Sequence, residues 1–97
     1  MDIQPLHTKI EKSIHTSYGT VVLEHYSGFP RSKSNLYCVA QNGQVVWYAE
    51  KPDPYTLYSR VRFNEDGWTL STYTINSHAC DIDPETGKIL DTTTSAQ

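Results

Sequence analysis

Cysteine is scarce in this sequence: among 97 residues there are only Cys38 and Cys80, with no neighbouring Cys and no metal-type spacing. That leaves no disulfide framework, and both thiols are expected to be free, partly buried small hydrophobes. A bridge between them would need a fold that brings their Cα atoms within about 7 Å. Long apolar runs are missing as well, since none approaches the roughly 18 residues that span a bilayer. The start, Met1-Asp2-Ile3-Gln4-Pro5, lacks a basic segment followed by an apolar one, so a soluble, cytoplasmic protein is expected. Basic charge is short too. Eight Lys and Arg against eleven Asp and Glu give a net charge of −3 and a pI near 5.7, which argues against bulk nucleic-acid binding. No Gly-rich phosphate loop, no Gly-x-Ser-x-Gly nucleophile motif and no Cys with an activating His nearby in sequence occurs. No catalytic residue and no cofactor is therefore expected, and an enzyme could arise only from a site assembled out of distant residues.

What the chain does have is β-type patterning. Residues 1–97 are one domain, because two halves would each be too small to bury a core. Even whole, the chain can bury only roughly 60–65% of the surface its unfolded form exposes. Leu36-Tyr37-Cys38-Val39 and Val45-Val46-Trp47 flank Asn42-Gly43, a strong hairpin signal. Ile82-Asp83-Pro84-Glu85-Thr86-Gly87-Lys88-Ile89-Leu90 repeats that order of apolar residue, polar turn, Gly and two aliphatics, and Gly87 lies 44 positions after Gly43. A period of that size belongs to arrays of four-stranded units.

Elsewhere Leu6–Thr16 fits either periodicity but tilts towards strand, and after Tyr18-Gly19 it pairs with Thr20–Tyr26. Ser27–Ser34 is a connecting loop and Lys51-Pro52-Asp53-Pro54 breaks the pairing. Leu57–Phe63 and Trp68–Tyr73 flank the Asn64–Gly67 turn. The expected fold is all-β, an antiparallel meander of about eight strands. Two four-stranded repeats, residues 6–49 and 55–92, form a twisted sheet or small sandwich, and residues 93–97 form a flexible tail. Val45, Trp47 and Ala49 share one face of their strand and Val46 and Tyr48 the other, which predicts an internal strand with Val45 and Trp47 in the core.

The segment from Leu36 to Trp47 resembles a blade repeat of the quinoprotein-dehydrogenase-like β-propellers, whose hairpins run Leu-Tyr-Ala-Leu-Asp, a turn ending Thr-Gly-Lys, two aliphatics and Trp. Asp83-Pro84-Glu85-Thr86-Gly87-Lys88 resembles the family turn, while Ala79 and Cys80 stand in place of Leu and Tyr, and Asp91 replaces the Trp. The resemblance implies blade-like hairpins and nothing about activity, because propellers serve many functions. Two blade lengths fall short of the four or so that a closed ring needs, so either several chains assemble or the chain is a small sheet or sandwich.

Asp81, Asp83 and Glu85 alternate as in a calcium loop, but Thr92 stands where its last acid belongs, so Asp83 and Thr86 are read as shaping the turn. His7, His15, His25 and His78 lack ligand spacing, and no metal is expected. Seven tyrosines and two tryptophans are the functional signal, since such residues are enriched at binding surfaces. Tyr58, Arg60, Arg62 and Tyr73 would share one sheet face if their strands pair, a candidate site for an anion, an acidic protein patch or a stacked base. Ordinary cross-strand packing of Arg and Tyr is the competing explanation. Arg31 and Lys33 could extend the patch. The leading expectation is a non-catalytic protein-interaction module that binds a protein partner or another copy of itself. A nucleotide- or sugar-binding protein using the Arg face, and a small inhibitor or immunity protein that blocks an enzyme, are the alternatives.

Overall fold

A computed structural model describes residues 3–94. Eight strands and no helix make up the fold among these residues: β1 (Ile10–Thr16), β2 (Gly19–Glu24), β3 (Leu36–Val39), β4 (Val45–Tyr48), β5 (Tyr58–Phe63), β6 (Leu70–Thr74), β7 (His78–Ile82) and β8 (Ile89–Thr94). They form two four-stranded antiparallel meanders, β1-β2-β3-β4 and β5-β6-β7-β8. Gly43 and Gly87 sit in the equivalent last hairpin turn of each sheet, both at positive φ that only glycine adopts without strain. The first strand begins at Ile10 rather than Leu6. Residues expected to fray do not all do so: Thr93 and Thr94 pair with Ala79 and His78, while residues 95–97 of the expected tail lie outside the described residues.

The sheets share one core. Val21, Leu23, Leu36, Cys38, Trp47 and Ala49 from the first meet Tyr58, Val61, Leu70, Cys80 and Ile82 from the second. Trp47 reaches across between them, and its Nε1 donates to the Pro84 carbonyl at 3.0 Å. A Cβ on Gly87 would stand 2.5 Å from the indole, so the ring lies directly on that glycine. Burial of such an aromatic contributes on the order of 3 kcal/mol.

Asn35 completes the join. Its amide donates to the Glu24 and Tyr58 carbonyls at 2.8 and 2.7 Å and accepts from Tyr58 N at 2.8 Å, so one buried side chain holds both sheets at β2 and β5.

The outward face of the first sheet carries a second apolar cluster, Val22, Tyr37 and Val39, with Ile3, Ile10 and Val45 packed against it. The chain before β1 is clasped there by Glu24, a carboxylate with no exposed surface. It accepts from the N–H groups of Leu6, His7 and Thr8 at 2.6, 3.0 and 2.9 Å and from the Tyr37 hydroxyl. Burial works to raise the pKa of Glu24, but the Thr8 N–H, the Tyr37 hydroxyl and the Leu6 and His7 N–H groups outweigh it and hold the carboxyl below its ordinary range.

Two expectations for β4 are corrected. It is an edge strand, and Val46 and Tyr48 are exposed. A bulge explains the second correction: Cys38 pairs with Trp47 but Val39 with Val45, which makes Val46 an extra residue. Val45 is thereby turned to the outer cluster, while Trp47 stays in the core.

Candidate functional site

The pairing of β5 with β6 decides which expected residues meet. Arg60 lies opposite Tyr73 and Arg62 opposite Ser71, so both arginines and Tyr73 share the outward face of the second sheet. Tyr58 does not join them. The register shifts between Tyr58 and Arg60, Ser59 becomes the extra residue, and Tyr58 turns into the core with 0% exposure. Its hydroxyl donates to the Glu50 carbonyl, and burial pushes its pKa up. A groove of about 690 Å³ runs beside this face and is lined by Glu11, Lys12, Leu23, Ser59, Arg60, Val61, Arg62, Ser71, Thr72, Tyr73 and Ala79. Three cations therefore face one carboxylate in a chain that is acidic overall. Arg62 Nη1 donates to the Phe63 carbonyl at 3.4 Å, and Ser59 Oγ donates to that of Tyr73 at 3.1 Å. Arg31 and Lys33 do not line this groove; Lys33 lines a separate hollow with Leu6, His7, Phe29, Ser34 and Tyr48.

A different surface forms where three hairpin tips meet. A groove of about 450 Å³ is lined by His15, Thr16, Ser17 and Tyr18 from the first tip, Phe63, Gly67 and Trp68 from the β5–β6 tip, and Asp83, Pro84 and Glu85 from the last. Trp68 is 59% exposed and Tyr18 47%. Both are carried by turns fixed by their own side chains. Asp66 Oδ1 accepts from Trp68 N and Thr69 N at 2.9 and 3.0 Å, and its Oδ2 accepts from Thr69 Oγ1 at 2.7 Å. The Thr69 and Trp68 N–H groups and the Thr69 hydroxyl hold the Asp66 carboxyl below its usual range. In the first tip, Thr16 Oγ1 accepts from Tyr18 N at 3.0 Å and donates to the Gly19 carbonyl at 2.8 Å.

The sequence reading missed this end because it placed Trp68 at the head of a strand. The available signal was the run Asp66-Gly67-Trp68, in which a turn residue and a positive-φ glycine put the indole at a tip, away from the strand's alternation.

The remaining candidates are dispersed. His15 Nδ1 is 3.1 Å from Thr20 Oγ1 and His25 Nε2 4.0 Å from Glu11 Oε1. Among the described residues no three His, Cys, Asp or Glu side chains gather to hold a metal. Asp83 Oδ1 accepts from Glu85 N at 2.9 Å and Thr86 Oγ1 from Lys88 N at 3.2 Å, so these two side chains shape the turn, while Asp81 accepts from Asn64 at 3.0 Å. Cys38 and Cys80 are free and buried, and burial raises the pKa of both. No helix among the described residues is long and apolar enough to cross a membrane.

Neither the curated proteins nor the solved structures contain a match to this chain. One family model, described as "Domain of unknown function (DUF7957)", matches residues 4–94 and so takes in all eight strands. The chain belongs to the DUF7957 family.

Proposed function

We propose that the protein is a non-catalytic interaction module that docks a partner protein through the end where the hairpin tips meet. The observation that carries this reading is the pair of exposed aromatics, Tyr18 and Trp68, each held by a hydrogen-bonded turn beside one groove. Tyr and Trp are the residues in which interface energy concentrates, and anchors fixed in advance lose little entropy on binding. The role of a small inhibitor that covers a partner enzyme falls within this reading, and the two free thiols suit a cytoplasmic setting.

The reading favours a different protein as partner over stacked copies of this one. Propeller-like stacking needs open apolar sheet faces. Here the outward face of the second sheet bears Arg60, Arg62, Asp81 and Asp91, and that of the first is packed by Ile3 and clasped at Glu24. The test is affinity capture with the native chain and with a Tyr18→Ala/Trp68→Ala variant. A protein retained in stoichiometric amount by the native chain and lost by the variant is expected; equal retention by both contradicts the reading.

A second reading rests on the cationic groove: a small anionic ligand, such as a nucleotide or sugar phosphate, held by Lys12, Arg60 and Arg62. Native mass spectrometry should then find an anion retained by the native chain and absent after Arg60→Glu/Arg62→Glu. An unchanged ligand mass in that variant removes this reading.

A further inference from the structure

We infer that the partner segment received by the Tyr18/Trp68 groove is cationic, a stretch bearing exposed Lys or Arg; this rests on the docking role proposed above. Asp83 and Glu85 stand on one tip of the groove, His15 is the sole basic side chain along it, and no Lys or Arg lines it. Asp83 is partly tied up, since its Oδ1 accepts from Glu85 N, but Glu85 is exposed and projects from a turn locked by that bond. The other two tips bring the exposed phenol of Tyr18 and indole of Trp68 to the groove, and the π-density of such rings attracts cations.

These two kinds of group reinforce each other for one ligand class. An ammonium or guanidinium lying over Trp68 has a carboxylate within the same groove, whereas a carboxylate or phosphate there would meet Asp83, Glu85 and two electron-rich rings. The apolar stems of Lys and Arg suit the half-buried Phe63 in the lining, which Thr16, Ser17 and Gly67 share. Net charge acts in the same direction at long range, since a chain of −3 draws basic surfaces towards it. The cationic Arg60/Arg62 groove is a separate surface on the outward face of the second sheet, so each groove has its own preferred sign of ligand.

The test is calorimetric titration of the full chain with three short peptides of equal length, alternating Gly with Arg, with Gln or with Glu. Saturable binding of the Arg peptide alone is expected, with a change in tryptophan emission. Trp68→Ala should abolish that binding, and Glu85→Lys should weaken it about fivefold or more. Three results overturn the inference: no saturable binding of the Arg peptide, binding of it unaltered in both variants, or equal binding of the Gln peptide. In the last case, if Trp68→Ala still abolishes binding, the docking role survives and only the charge preference falls.

Discussion

A carboxylate without exposed surface is tolerated only when hydrogen bonds replace its water, and Glu24 satisfies that condition with three N–H groups and a hydroxyl. Because the folded pKa lies below the ordinary 4.5, Glu24 stabilises the fold fully above about that pH, and the contribution disappears as pH falls through the depressed folded value. Glu24→Gln should cost about 2 kcal/mol near neutrality in urea unfolding, with the gap to the native chain closing as the pH drops below 4.5. A gap constant with pH would contradict the assignment.

Gly87→Ala is a second test at this scale. A methyl 2.5 Å from a buried indole, on a residue with φ of +77°, should cost about 2–4 kcal/mol by the same measurement. The buried thiols give a third: Cys38 and Cys80, with pKa values raised by burial, should resist a thiol reagent in the native chain and react once it is unfolded. The sequence could show that Gly87 is a turn glycine. It could not show that Trp47, forty residues earlier, lies upon it, because that contact belongs to the packing of two sheets.

Among the elements, turn chemistry made the strands readable. Asn42-Gly43, Asn64–Gly67 and Asp83–Gly87 mark hairpins directly, and every strand from β2 to β8 lies at or near its expected place. The faces of those strands were harder to read. Alternation carries an orientation along a strand only while the pairing stays in step, and an extra residue reverses everything beyond it. Ser59 does this in β5 and sends Tyr58 inward, away from Arg60; Val46 does it in β4 and separates Val45 from Trp47. Asn35 was not legible as a structural residue either, since its three partners come from β2 and from a strand in the other sheet. Asn35→Ala leaves the Tyr58 N–H and two carbonyls without their partner and should cost about 2–4 kcal/mol, more than loss of an ordinary surface polar group. A cost under about 0.5 kcal/mol, typical of the surface, would mean that the sheets do not depend on this joint.

For the whole molecule, the two sheets share one core, their outward faces are packed, clasped or charged, and of the exposed aromatics Tyr18 and Trp68 meet at one end, whereas Tyr26, Tyr48 and Tyr55 do not line that groove. Sedimentation at micromolar concentration is accordingly expected to give a monomer, and a concentration-dependent oligomer would speak for stacked sheets. The candidate site was only half legible at this scale. Arg60, Arg62 and Tyr73 lie on adjacent strands, and a turn in the sequence announces their meeting. Tyr18, Trp68 and Glu85 come from three separate hairpins, and only the stacking of the sheets brings them together. The most direct test of the docking claim is hydrogen–deuterium exchange of the full chain with and without the Arg-Gly peptide. Protection confined to the three tips, residues 15–19, 63–69 and 83–87, is the predicted result. Protection at 59–62 and 71–73 instead, or none at the tips, would contradict it.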